Sequence, residues 1–146
     1  MTRILLISRS DNAFAQSLLQ ALRSLKPLEE CNSADIRGLA AHAVAAAMET
    51  SCVYVPSLSG RDAMAPDLSE AQIVLPQCAG LPARNFIFLS SALVYGTGPA
   101  RQSLVAENYF LPGAGRDHIS NQWRSFEEIA ARNFHTKAPL TILRLV

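Results

Sequence analysis

Short apolar runs alternate with amphipathic stretches along the whole chain. Five runs have the length and composition of strands, at residues 3–8, 29–36, 52–55, 85–89 and 140–146. The run at residues 85–89 is apolar at successive positions, which is typical of a central parallel strand covered by helices on both faces. The run at residues 29–36 carries the weakest strand signal.

Between these runs, apolar residues recur at the three- and four-residue spacing of an α-helix. The first helix follows a cap at Asp11 or Asn12, reaches about Leu25 and is stopped by Pro27. Its predicted apolar stripe consists of Phe14, Leu18, Leu22 and Leu25. An alanine-rich stretch at residues 37–50 predicts a second helix.

Two more helices are predicted in the second half of the chain. One covers residues 69–78 and begins with a capping box formed by Ser69 and Gln72. The other covers residues 118–133. Its apolar face consists of Ile119, Trp123, Phe126 and Ala130.

Strands that alternate with helices, with no hairpin signal, predict an α/β fold with a parallel sheet between two layers of helices. We expect a Rossmann-like three-layer sandwich with about five parallel strands. Loops are expected at residues 57–66 and 97–117. The sequence has no internal repeat, low-complexity tract or linker, so residues 1–146 are predicted to form a single domain.

The composition narrows the classes of function. Charged residues make up 17% of the chain, against roughly 25% in typical globular domains, so we expect apolar surface that can serve as an interface. The net charge of +1 and the absence of a basic run argue against binding to nucleic acid or to a membrane surface. The apolar runs are too short to span a bilayer, and the N-terminus lacks a signal-peptide pattern.

The number and spacing of the cysteines and histidines predict reduced thiols and the absence of a metal site. The chain has three cysteines, an odd number without a CxxC pair, which argues against a disulfide framework. We therefore expect a cytoplasmic protein. The three histidines lie far apart in the sequence and none pairs with a cysteine at ligand spacing, so no metal site is predicted.

The most informative stretch is residues 85–96, which read NFIFLSSALVYG. Ser90 and Ser91 stand where the buried strand ends, and a turn with Tyr95 follows. In an open α/β sheet, ligands bind beyond the carboxyl ends of the strands. A hydroxyl at this edge is therefore well placed to hydrogen-bond a substrate.

This stretch resembles the extended short-chain dehydrogenases/reductases, the NAD-dependent epimerase/dehydratase group that includes UDP-galactose 4-epimerase. Members of that family have a strand, a serine pair and a VYG turn here, and Ser91 matches the family's catalytic serine. Asp35 and Ile36 resemble the acidic turn that holds the adenine ring. Residues 140–146 resemble the strand that follows the catalytic helix. The resemblance implies a nucleotide-binding fold and NAD(P) as cofactor.

The turn after the first strand departs from the family. The resemblance implies a glycine-rich turn, because side chains would block the approach of the cofactor pyrophosphate to the backbone. Here Ser8, either Asp11 or Asn12, and Ala15 stand where glycines are expected. Asp11 adds a negative charge that opposes a phosphate, and Arg9 either contacts a phosphate or is a solvated turn residue. We therefore expect no tight cofactor binding, and NAD(P) if any cofactor binds.

A second departure concerns the number of strands. The resemblance implies a further strand, which reads the adenosine ribose, between the first helix and the acidic turn. Only residues 26–31 are available for it, so this strand is predicted to be deleted. Deletion brings its neighbour against the first strand and changes the strand order from 3-2-1-4-5-6 to 2-1-3-4-5.

The helix at residues 118–133 lacks the catalytic tyrosine and lysine of the family. With Glu128 aligned to the family's helix acid, Ser120 and Arg124 occupy the two positions; another register gives His118 and Gln122. A serine hydroxyl is too weak an acid to replace a tuned phenol, and an arginine cannot release its proton. The alternative interpretation of Ser120 and Arg124 is a solvated helix face, with Arg124 and Glu128 as an ion pair.

These departures, together with the absence of the family's substrate region after Val146, predict a non-catalytic relative that acts as a scaffold or interaction module. A homodimer or a protein partner is expected through the helices at residues 69–78 and 118–133.

Two alternatives stay open. One is an NAD(P)-dependent epimerase/dehydratase-type oxidoreductase with an altered cofactor site, or one completed by another chain, which would use Ser91, Tyr95 and His118. The other is a receiver-like signalling domain. It is disfavoured because Asp11 is the only acid in its turn and the third strand ends at Pro56 without an aspartate.

Overall fold

The computed structural model describes residues 2–25, 28–38, 50–59, 64–96, 118–134 and 139–145. Its main-sheet strands are β1 (Thr2–Ser8), β2 (Leu28–Asp35), β3 (Thr50–Tyr54), β6 (Asn85–Ser91) and β7 (Leu140–Leu145). Two short strands, β4 (Leu58–Ser59) and β5 (Ala65–Pro66), form a separate antiparallel pair. The helices are α1 (Ala13–Ser24), α2 (Leu68–Cys78) and α3 (His118–Phe134), and 3-10 turns cover Ile36–Gly38 and Ala92–Tyr95.

The five strands of the main sheet lie in the order β2-β1-β3-β6-β7, and all neighbouring strands are parallel. Numbered along the sheet strands alone, this is the order 2-1-3-4-5. The predicted α/β fold and the predicted strand order are therefore confirmed. The weakest predicted strand is also present, because β2 pairs with β1 from Thr2 to Ser8.

Helices α2 and α3 cover one face of the sheet with a largely aromatic core. Tyr54 stacks against Phe126, and Phe134 packs against both Phe86 and Phe88, with ring centroids 4.6–6.1 Å apart. These five rings are fully or almost fully buried. Aromatic pairs in such geometries add to the stabilisation from buried apolar area, so this face holds most of the core.

The opposite face of the sheet is covered by α1. Ala15 of α1 is buried against Leu6, Val53 and Leu89. Because side chains alternate along a strand, the same face of β7 presents Leu143, which is exposed. Among the described residues, the two faces of the sheet are therefore packed unequally.

The start of α1 agrees with the sequence-based prediction, whereas the start of α2 differs from it. Asn12, one of the two predicted caps, accepts the Ala15 N–H at 3.0 Å. The cap of α2 is Asp67 and not Ser69: its Oδ1 accepts the N–H groups of Ser69 and Glu70 at 3.0 and 3.1 Å. A carboxylate is the better acceptor at the positive end of a helix, which places the start of α2 at Leu68.

Several other predictions are corrected. The predicted stripe of α1 is wrong at both ends, since Phe14 and Leu25 are exposed and Ala15 supplies the buried contact. The predicted loop at residues 57–66 contains the β4–β5 pair.

Most of the predicted helix at residues 37–50 lies outside the described residues, but Arg37 belongs to a 3-10 turn and Thr50 begins β3. The predicted loop at 97–117 also lies outside them. None of the helices in the described part of the chain is both long and apolar enough to cross a membrane.

Candidate functional site

A cavity of about 320 Å³ opens near the carboxyl ends of β3, β6 and β7, beside the start of α1. Its described lining residues are Asn12, Phe14, Pro56, Leu58, Met64, Leu89, Ser90, Ser91, Leu93, Trp123 and Leu145. This is the edge at which open α/β sheets bind ligands, and the size falls in the range of small-molecule sites. The two serines at the end of β6 thus line this cavity.

The turn after β1 is closed by the carboxylate of Asp35. Asp35 Oδ2 accepts the Ser10 N–H at 2.9 Å, and Oδ1 accepts the Arg37 N–H at 2.8 Å. The bond from the Arg37 N–H has the largest effect on the pKa of Asp35. Together with the bond from Ser10, it holds this pKa below its usual value. Register explains the contact, because Ser8 pairs with Asp35 across β1 and β2. Ile36 follows in the 3-10 turn and packs against the aromatic core.

Other groups of this turn are also engaged by the protein itself. Asn12 caps α1 with its Oδ1, and its Nδ2 donates to Pro56 O at 3.3 Å. Ser8 is buried, and its Oγ donates to Arg9 O at 3.1 Å. The side chain of Gln16 donates to Ser10 O at 2.7 Å. The turn is therefore tied together by its own side chains, where the resemblance implied an open glycine-rich backbone.

Arg9 is paired with a neighbouring carboxylate. Its Nε and Nη2 donate to the two oxygens of Asp11 at 3.1 and 2.9 Å. The bond to Asp11 raises the pKa of Arg9. Arg9 therefore has a carboxylate partner in this turn, and both side chains of the pair keep contact with solvent.

Ser91 lines the cavity and caps the 3-10 turn that follows β6. Its Oγ accepts the Leu93 N–H at 3.2 Å. Because the oxygen accepts in this bond, the hydroxyl keeps its own proton for donation. Ser91 therefore has a local structural role and also offers a donor to the cavity.

The two positions predicted to replace the catalytic tyrosine and lysine lie away from the cavity lining. Ser120 is fully buried, so its interpretation as part of a solvated helix face is wrong. Arg124 donates from Nε to Val94 O at 3.3 Å, while Glu128 is exposed. The α3 residue that reaches the cavity is Trp123, whose Nε1 donates to Met64 O at 2.9 Å. His118 is exposed at the start of α3.

A polar cluster that sequence reasoning missed joins Ser90, Tyr95, Glu127 and Arg144. Ser90 Oγ donates to Glu127 Oε1 at 2.6 Å. Arg144 binds the same carboxylate with Nε and Nη2 at 2.9 and 2.8 Å, and its Nη1 donates to Tyr95 Oη at 2.6 Å.

The arginine also lies 5.0 Å from the centre of the Tyr95 ring. The bonds to Glu127, followed by that to Tyr95, raise the pKa of Arg144.

The inward-facing acid of α3 is thus Glu127, one residue before the Glu128 used to align the helix. With Glu127 as the reference, the two catalytic positions fall on Ile119 and Trp123, and again neither is a tyrosine or a lysine. The sequence did carry a signal for the cluster: Arg144 interrupts the apolar run LTILRLV at an inward position.

Within the described residues, no group of three or more His, Cys, Asp or Glu side chains could hold a metal ion. Cys52 and Cys78 are free thiols in the core, and burial raises the pKa of each to about 12. At neutral pH these two thiols are therefore protonated and unreactive.

Comparison with known proteins gives a consistent structural likeness. No family model matches the chain, and no curated protein sequence matches it. UDP-glucuronic acid 4-epimerase from Bacillus cereus, solved with NAD, is similar over 99% of this chain and 56% of its own, with 17% identity and a TM-score of 0.58.

A short-chain dehydrogenase/reductase superfamily protein from Agrobacterium tumefaciens with bound NAD matches 97% of this chain and 48% of its own, with 16% identity and a TM-score of 0.67. The Bordetella bronchiseptica enzyme WbmH, in complex with NAD+, matches 100% of this chain and 56% of its own, with 12% identity and a TM-score of 0.61.

The chain therefore spans about half the length of the solved structures that it matches. At these identities the likeness establishes the fold. The resemblance found in the sequence is confirmed at that level: this chain has the fold of about half of each of these proteins. What it does with the fold depends on the residues at the cavity edge.

Proposed function

We propose that this chain is a non-catalytic relative of the NAD-dependent epimerases/dehydratases and acts as a scaffold or interaction module. One observation carries the proposal: the carboxylate of Asp35 occupies the Ser10 N–H in the turn after β1. A dinucleotide pyrophosphate is held by backbone N–H groups at this place in the fold. An internal anion at that amide both uses the donor and repels a second anion.

The polar groups at the cavity support the same conclusion. The polar lining residues in the described part of the chain are Asn12, Ser90 and Ser91. None of these side chains exchanges a proton near neutral pH, which general acid–base catalysis requires. The nearest phenol of the following turn, Tyr95, is bonded to Arg144.

Cofactor titration tests the proposal. We expect no change in melting temperature with millimolar NAD, NADH, NADP or NADPH. A cofactor at a hundred times its Kd would stabilise the native state by about 2.7 kcal/mol, which such a measurement detects readily. The Bacillus cereus UDP-glucuronic acid 4-epimerase serves as the positive control. A saturable rise in melting temperature would show that the cofactor binds, and it would contradict the proposal.

A protein partner or a second copy of the chain is proposed to bind through α2 and α3. Support comes from α2, which exposes Ile73 at 64% and also exposes Pro76. The main apolar residues of α3, Trp123 and Phe126, face the core instead. We therefore expect α2 to supply the apolar part of the interface.

Sedimentation of Ile73→Glu tests this surface. We expect the variant to shift a self-associating chain towards monomer, or to abolish capture of a protein partner. Leu25→Glu is the matched control, because Leu25 is a similarly exposed apolar residue at the end of α1. An unchanged assembly in Ile73→Glu would exclude α2 from the interface.

We place the protein in the cytoplasm because its described thiols are free.

The second candidate is an NAD(P)-dependent oxidoreductase with an altered site. It is favoured by Ser91, which stands at the end of β6 and offers its hydroxyl proton to the cavity. Absorbance of reduced cofactor, followed with NAD and UDP-glucuronic acid, would reveal hydride transfer. Turnover that is lost in Ser91→Ala would favour this candidate over the first.

A further inference from the structure

We propose that the cavity at the carboxyl edge of the sheet binds an uncharged, mainly apolar small molecule that carries a hydrogen-bond acceptor such as a carbonyl. The cavity volume of about 320 Å³ is sufficient for such a ligand. An engineered protein cavity of roughly 150 Å³ already takes up benzene. The site is separate from the α2 surface proposed to bind proteins.

The walls select against charge. Apolar side chains supply most of the lining: Phe14, Pro56, Leu58, Met64, Leu89, Leu93, Trp123 and Leu145. No acidic or basic side chain is among the lining residues in the described part of the chain. A phosphate or carboxylate would lose its hydration here without gaining a counter-charge, and that transfer is strongly unfavourable.

Exposed apolar residues surround the opening. Large apolar side chains that line the cavity and are also exposed are Phe14 (53%), Leu58 (51%), Met64 (43%) and Leu145 (37%). They come from α1, the β4–β5 segment and β7, so the fold gathers them at one place. An exposed cluster that continues into a cavity is typical of a binding site, whereas scattered apolar residues need no explanation.

The serines determine which polar group the ligand carries. Ser90 gives its proton to Glu127, while Asn12 uses its oxygen in the bond from Ala15 and one of its two amide N–H groups in the bond to Pro56. Ser91 accepts from the backbone and retains its own proton. The donors that the described lining offers are thus the Ser91 hydroxyl and the second amide N–H of Asn12, and the complement of either is a neutral acceptor.

Trp123 makes the proposal directly measurable. It is the chain's one tryptophan, it lines the cavity, and its indole is held by the bond to Met64 O. A ligand in the cavity therefore alters the tryptophan fluorescence of the intact chain.

The test titrates the full chain with three naphthalene probes while tryptophan fluorescence and ligand-observed NMR are recorded. The first, 2-acetylnaphthalene, is neutral with one carbonyl; 2-ethylnaphthalene lacks the acceptor; 2-naphthoate is charged. We expect saturable one-to-one binding of the acetyl probe. The ethyl probe should bind about fivefold more weakly, and the naphthoate at least about tenfold more weakly. Naphthoate binding as tight as that of the acetyl probe would overturn the proposal.

Two matched leucine variants locate the site. Leu58→Glu places a charge at the opening and should weaken the acetyl probe at least about tenfold. Leu25→Glu, at a similarly exposed leucine just after α1, should not. Ser91→Ala should weaken the acetyl probe and leave the ethyl probe unchanged. Equal binding in Leu58→Glu and Leu25→Glu would overturn the proposal, with folding of both checked by circular dichroism.

The outcome is distinguishable from that of the cofactor titration. If NAD displaces a bound probe, the non-catalytic assignment is refuted. The proposal that the cavity prefers neutral groups would still stand. Absence of probe binding, with no response to NAD, would overturn the cavity proposal and leave the non-catalytic assignment standing.

Discussion

Single side chains decide what the turn after β1 can bind. The sequence has other residues in that turn where the family has glycines. We predict the loss of tight cofactor binding for this reason. The sequence did not show that Asp35 closes the turn, because the bond to Ser10 spans 25 positions along the chain and depends on the register of β1 and β2. Contacts of this kind follow from tertiary structure and leave no local pattern.

Removal of the Asp35 charge should change how stability depends on pH. The pKa of this carboxyl is lowered in the folded chain, so its stabilisation is present above the unfolded-state value of 3.8 and is lost as the pH falls through the lowered pKa. We expect Asp35→Asn to be less stable than the parent at neutral pH and equally stable in strong acid. Urea unfolding at a series of pH values measures the difference; a gap that widens on acidification would contradict it.

Gly96 ends the serine-strand motif with a backbone that other residues avoid. Its φ of 105° and ψ of 161° lie in a region that is essentially restricted to glycine. Gly96→Ala should therefore lower the free energy of unfolding by about 1–3 kcal/mol. Gly80→Ala is the control and should cost less, because the φ of Gly80 is not positive; among the described residues, a Cβ there would meet Gln77 O at 3.3 Å. Equal losses in the two variants would show that the backbone conformation is not the cause.

At the scale of elements, the cluster around Glu127 joins the ends of β6 and β7 to α3. The carboxylate accepts from Ser90 and binds Arg144 with both oxygens. The apolar periodicity of each element was visible in the sequence, but the partner of each polar side chain was not. The same limit explains the cap of α2, where Asp67 replaces the predicted Ser69.

Glu127→Gln tests what the cluster contributes. The change leaves the partly buried Arg144 guanidinium without its counter-charge, so we expect a loss of about 1–3 kcal/mol in the free energy of unfolding. Glu128→Gln, at the exposed neighbour, should stay within about 0.5 kcal/mol of the parent. Chemical denaturation of both variants gives the comparison. A similar effect of the two changes would mean that the cluster adds nothing to stability.

At the scale of the whole molecule, strand order was the most successful prediction. It followed from the family that the sequence resembles: removal of one strand between α1 and the acidic turn from the family's order leaves β2 beside β1, and the sheet has that order. The apolar runs along the chain gave the number of strands, and the resemblance supplied their order. Cofactor chemistry depends on a few side chains at the carboxyl edge of the sheet. The fold alone therefore does not determine that chemistry.

Unfolding of the whole chain tests the prediction of a single domain over residues 1–146. The five strands form one continuous sheet, and α2 and α3 share one core, so we expect a single cooperative transition. Trp123 reports on that core and on the cavity, while far-ultraviolet circular dichroism reports on all helices. The two signals should give the same midpoint and the same denaturant dependence. Separate midpoints would indicate two independently folding units, and Trp123 would show which of them contains the cavity.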